Sequence, residues 1–142
     1  MAFGARDLEP QPFYVEPSKR ARYLGPVYLL TSDVTVSAGE TFTLFMRALP
    51  NVVHVGGTTR GAFSDMVDKP LPNGWKLTLS AEVYRDPQGR SYEARGIPPQ
   101  IKRDVFPAND LNGGHARAFL ALIDEIRRNN IGLKVQQDGP TE

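Results

Sequence analysis

At 142 residues, 40% hydrophobic and 23% charged, the sequence is long enough for one domain with a sizeable core. Its formal net charge of +1 gives no long-range attraction to nucleic acid or to an anionic membrane. With no cysteine and two histidines, disulfides and thiolate chemistry are excluded and a His/Cys zinc site is not expected, so no metal or cofactor is anticipated. No apolar run reaches membrane-spanning length, so no membrane insertion is expected. The first residues carry no hydrophobic signal core, and the compartment stays unassigned.

Residues 1–22 are rich in proline and charge and read as an extended lead-in. Val27-Tyr28-Leu29-Leu30 is short and apolar, the pattern of a buried strand. A polar turn, Thr31-Ser32-Asp33, leads to Ser37-Ala38-Gly39-Glu40. Beyond it Phe42, Phe45, Met46 and Leu49 recur at i, i+3, i+4 and i+7, one face of a helix. Pro50-Asn51 stops that helix, and Val52-Val53-His54-Val55 reads as a second strand, completing a parallel βαβ unit. Gly56-Gly57-Thr58-Thr59-Arg60-Gly61 is a loop that lets backbone approach a ligand.

Farther on, Trp75, Leu77, Leu79, Ala81 and Val83 alternate with polar residues, which predicts a half-buried strand over 75–84. The Asp86-Pro87-Gln88-Gly89 turn then predicts that residues 90–93 return as its hairpin partner. A last helix is predicted from about His115 to Asn130, with Ala118, Phe119, Leu122, Ile123 and Ile126 on its apolar stripe. Residues 133–142 read as a tail.

A serine at a helix start faces unpaired N–H groups and the positive end of the helix dipole. Both favour developing negative charge, so Ser37 suits a nucleophile, with Ala38 N–H as an oxyanion donor and Gly39 leaving room for a carbonyl. The same spacing, Ser37-x-x-Glu40, is also a capping box. Spacing leaves both readings open. No base stands out for the serine: His54 lies among valines, His115 opens a helix, Lys69 is in a Pro-bounded loop, and Glu93 ends an expected strand. The glycine-rich loop fits neither GxxxxGK[ST] nor GxGxxG, which argues against nucleotide.

Three runs in one order, GPVYLLTSDVTVSAGETF, VGGTTRGAFSD and LPNGWKLTLSAEVYRDPQGRSYEARGIPPQI, resemble the tail-specific or C-terminal processing serine peptidases, family S41. The resemblance spans roughly residues 23–130 and implies an α/β, crotonase-like ββα superhelical core, incomplete on its N-terminal side. It implies that residues 23–132 are the C-terminal part of a catalytic domain. Ser37 then matches the nucleophile, Ala38 and Gly39 its oxyanion surroundings, Thr59 and Gly61 the TxG loop, and Glu93 a supporting catalytic glutamate. Where one branch carries a base lysine after TxG, this chain has Ala62. That departure resembles the branch of tricorn core proteases and retinoid-binding repeats, whose base is an upstream histidine. No such histidine precedes Ser37, nor does a D-x-R-x-N-x-GG segment. The implied partners are a peptide or protein substrate and the remaining N-terminal part of the catalytic domain. A non-catalytic module binding peptide or a hydrophobic ligand on the same fold is the alternative. An incomplete core would also leave apolar residues of 27–30 and 75–83 uncovered.

Overall fold

A computed structural model describes residues 11–129. Residues 11–22 form neither helix nor strand and are exposed throughout. The expected tail lies outside the described residues. Seven elements follow: β1 (Val27–Thr31), α1 (Ala38–Arg47), β2 (Val52–Gly56), β3 (Met66–Pro70), β4 (Lys76–Ser80), β5 (Ile101–Lys102) and α2 (Gly114–Asn129).

The first strand, helix and second strand form as the pattern predicts. β1 and β2 pair in parallel, Val27 opposite Val52 through Thr31 opposite Gly56, with α1 as the crossover. β5 adds to the other side of β2, also in parallel, giving the order β1-β2-β5. The Gln100 side chain extends this pairing: its Oε1 accepts from His54 N–H at 2.7 Å, while Gln100 N–H donates to His54 O at 2.9 Å. Because strand side chains alternate, one face carries Tyr28, Leu30, Val53, Val55 and Ile101. α2 covers that face, with Leu122 buried against Val53 and Val55 and Ile126 beside it. An ion pair between Arg103 and Glu125 ties the end of β5 to α2.

The apolar stripe of α1 does not enter this core. Glu40 and Thr43 are its buried residues, whereas Phe42 is 54% exposed. The helix turns its polar face to the body because Glu40 finds donors there, described below. Thr43 is self-sufficient, its hydroxyl donating to Gly39 O at 2.7 Å.

Two expectations need correction. The 75–84 segment forms a strand only over β4, and that strand is not half-buried. It pairs antiparallel with β3 in a two-stranded ribbon whose ten residues are all exposed. The alternation itself is right: Leu77 and Leu79 share a face with Val67 across the ribbon, but no described element covers that face. Second, residues 90–93 form no strand. The Asp86 carboxylate holds the turn closed by accepting from Arg90 N–H at 2.9 Å and from Arg90 Nε at 2.6 Å, so Arg90 curls back instead of running on. β3 and β5 have no counterpart in the sequence reading.

Candidate active site

Ser37 sits at the N-cap of α1 with φ 54° and ψ −120°. An ordinary N-cap has extended, negative-φ backbone. A non-glycine residue in this region costs on the order of 1–3 kcal/mol and persists only where neighbours enforce it. Ser37 and Glu40 stand in the capping-box arrangement, each side chain toward the other's backbone N–H, but the Ser37 hydroxyl is too loosely placed there for a hydrogen bond of good geometry. Glu40 N–H instead donates to Ser37 O at 2.8 Å. The serine side chain is exposed and lines a pocket of about 380 Å3.

The enforcing group is Glu40. It is fully buried, and its two carboxylate oxygens are met by four donors. Oε1 accepts from the Thr59 hydroxyl and from Gly61 N–H, each at 2.6 Å. Oε2 accepts from Ala62 N–H at 2.8 Å and from Ser37 N–H at 3.3 Å. The helix start and the loop after β2 thus converge on one carboxylate. A backbone bond from Ser37 N–H to Ala62 O, 3.0 Å, closes the ring, and Arg60 N–H to Thr35 O, 2.9 Å, adds a second tie.

A third segment locks onto this junction. Thr59 Oγ1, donating to Glu40, accepts from Ile97 N–H at 2.7 Å. Gly61 has φ +80°, and a Cβ there would come within 2.6 Å of Gly96 N. Gly96 has φ +73°, and a Cβ there would collide with Thr59 O. Both positions therefore need glycine, for conformation and for space. Glu93 belongs to the same segment, and its Oε2 accepts from Phe63 N–H at 3.1 Å.

The structure therefore gathers Ser37, Thr59 and Gly61 around one carboxylate, while Ala38 and Gly39 follow Ser37 in the first turn of α1. Among the described residues Ala38 N–H donates to no partner. Gly39 N–H is engaged with Val36 O at 3.0 Å, and Gly39 faces the Thr35 methyl. The Thr59 hydroxyl and Gly61 N–H are spent on Glu40, while Thr59 N–H donates to Ile97 O at 3.2 Å and Gly61 O accepts from Ala94 N–H at 2.7 Å. Glu40 is the residue that sequence reasoning missed as more than a cap. Its signal was the Ser-x-x-Glu spacing together with the TxG loop, but nothing local says that the two meet.

The candidate bases lie elsewhere. His54 is fully buried, its Nε2 2.7 Å from Thr31 Oγ1. Since Thr31 Oγ1 donates to Gly57 O, Nε2 carries the proton and donates to Thr31, leaving Nδ1 buried with no partner among the described residues. Burial, with the Arg47 charge behind it, lowers the imidazole pKa to about 4, so the ring is neutral near pH 7. His115 Nδ1 is bonded to Val105 O at 2.7 Å and the ring stacks on Phe106 at 4.0 Å. Lys69 lies on the exposed ribbon. Among the described residues no base is hydrogen-bonded to the Ser37 hydroxyl, and no group of acidic and histidine side chains could hold a metal ion.

A serine strained at a helix start thus lies beside a pocket on an α/β fold. The peptidase family S41 model matches residues 5–103, and the chain belongs to that family. It is 25% identical over 91 residues to the carboxy-terminal processing protease CtpA of Bacillus subtilis (strain 168), covering 64% of this chain and 20% of CtpA. A solved structure from Parabacteroides merdae ATCC 43184 matches with a TM-score of 0.71 and 33% identity, over 84% of this chain and 37% of that one. Mature CPAF matches with a TM-score of 0.65 and 21% identity, over 87% of this chain and 23% of CPAF, which bears on the fold alone. The chain thus spans about a fifth of CtpA and little more than a third of the Parabacteroides chain.

Proposed function

We propose that this chain carries the nucleophile half of a serine-peptidase catalytic domain, with Ser37 attacking the scissile carbonyl. The observation that carries the reading is the Ser37 backbone at φ 54°, ψ −120°, outside the conformation of an ordinary N-cap, at a side chain that lines the pocket. A residue whose only task is to cap has no reason to hold that strain. Attack would form a bond from Ser37 Oγ to the carbonyl carbon, and the serine proton would pass to a base. The carbonyl oxygen, gaining negative charge, would meet Ala38 N–H, reinforced by the positive end of α1. Collapse would expel the amine and leave an acyl-enzyme for water to cleave. Substrate peptide would lie extended beside the sheet.

No described residue supplies the base, so in this proposal it comes from the part of the catalytic domain that relatives carry in addition. Residues 23–132 would be the C-terminal part of a crotonase-like core, and residues 1–22 a linker into it. Glu93, bonded to Phe63 N–H, would act by holding the pocket wall. The departure at Ala62 favours the tricorn-like branch. The competing reading, a non-catalytic binding module, is favoured only by the absent base.

A fluorophosphonate probe decides between them. The expected result is a single adduct on Ser37, in the chain alone or once the remainder of an S41 catalytic domain is supplied, and its loss in Ser37→Ala. Peptide hydrolysis should fall about 10^3-fold or more in that variant. No adduct in either setting overturns the peptidase reading.

A further inference from the structure

The pocket beside Ser37 has a composition that the chemistry at the serine does not explain. Ala38, Thr41, Phe42 and Phe45 of α1 form one wall, and Phe63, Asp65 and Tyr84 the other. Phe63 is 2% exposed, and its ring leans on Tyr84 with centroids 6.1 Å apart, so this wall is a fixed aromatic surface. This explains why the apolar stripe of α1 is turned away from the core: Phe42 and Phe45 line the pocket. An aromatic pocket of this size suits a side chain.

One end of that aromatic surface is negative. Asp65 lines the pocket, and the Glu82 carboxylate lies near Tyr84. The Tyr84 pKa is raised, first by the Glu82 carboxylate, then by burial and by the charge of Asp65. Ion pairs form at Asp68, Asp86, Glu125 and Asp110, whereas Asp65 and Glu82 enter none among the described residues.

Resting on the peptidase reading of Ser37, we propose that this pocket takes a long cationic side chain of the substrate peptide, arginine or lysine, with Asp65 as its counter-charge. The apolar stem of such a side chain lies along Phe42 and Phe45, and its charged end lies against the Phe63–Tyr84 surface beside Asp65. Arginine is favoured over lysine, because a planar guanidinium stacks on rings and pairs a carboxylate with two bonds. A neutral apolar side chain would desolvate Asp65 without replacing its water, and an acidic one would be repelled. The substrate class is therefore basic peptides, with Asp65 the residue that determines specificity.

The test is binding, so that it does not depend on Ser37 chemistry. Benzamidine, an aromatic cation, and benzamide, its neutral counterpart, are titrated into the full chain and followed by NMR at the rings of Phe42, Phe45, Phe63 and Tyr84. The expected result is benzamidine binding about tenfold more tightly than benzamide, a preference weakened by salt. Asp65→Asn should bring the two within about twofold. Equal binding, no binding, or a preference that survives Asp65→Asn overturns the proposal. A fluorophosphonate adduct on Ser37 alongside any of those results leaves the peptidase reading standing, so the two failures are separate.

Discussion

Two parts of this chain come from neighbouring stretches of sequence and are built by opposite means. The junction of residues 37–40, 59–63 and 93–97 is polar, buried and over-determined, with Glu40 at 0% exposure and the Thr59 hydroxyl used as donor and acceptor at once. The β3–β4 ribbon, which begins only a few residues later, is held by its own ladder and by exposed contacts that include Asp68 with Lys76 at 3.6 Å and with the Thr78 hydroxyl at 2.9 Å. Its apolar face, with Val67, Leu77, Leu79 and the 71%-exposed Trp75, is uncovered by any described residue. A two-stranded ribbon alone is marginal in water. The contrast shows where precision is needed: at the backbone of Ser37, which only a rigid surround can hold in a strained conformation.

The largest expected effect comes from the centre of the junction. Glu40→Gln keeps the size but turns one acceptor into a donor facing backbone N–H groups. It should destabilise the chain by about 3–5 kcal/mol in urea unfolding. Thr59→Val, which removes one member of the network, should cost less, about 1–3 kcal/mol. A glycine pair sharpens the comparison. Gly96→Ala meets both the Thr59 carbonyl and a positive φ, and should cost about 3 kcal/mol. Gly74→Ala, at the ribbon tip with φ +84° and no atom within 4 Å, meets the backbone term alone, about 1 kcal/mol.

His54 gives the body a pH dependence. Its folded pKa, about 4, lies below the ordinary 6.5, so the unfolded chain takes up the proton first. The stabilisation from keeping it neutral is complete above about pH 6.5 and is lost as pH falls toward 4, by about 3 kcal/mol in all. Urea midpoints across that window should show the loss, and His54→Gln should flatten its share of the slope. Smallest of all, Leu77→Thr on the ribbon should change stability by no more than about 0.5 kcal/mol while reducing dye binding to the apolar face. A ribbon substitution as costly as Glu40→Gln would break the contrast.

Local pattern made β1, α1, β2 and α2 legible, because apolar spacing and turn residues act within a few positions. It was silent on what each face would meet. The stripe of Phe42 and Phe45 announces an apolar face, and only the tertiary arrangement makes it a pocket wall instead of core. β5 is a two-residue strand beside β2, too short to leave a pattern. β3, Met66–Pro70, carries charges and a proline and shows no alternation of its own. Ser37 was legible as a residue at a helix start, but its torsion angles depend on a carboxylate whose other donors come from residues 59–62.

The cap and the nucleophile differ in one observable, the conformation of Ser37. An atomic-resolution crystal structure of the chain measures it directly. The account predicts φ near 54° and ψ near −120°, with Glu40 accepting from Ser37, Gly61 and Ala62 N–H. A Ser37 in extended, negative-φ backbone, with its hydroxyl accepting from Glu40 N–H, would make it an ordinary cap and contradict the account.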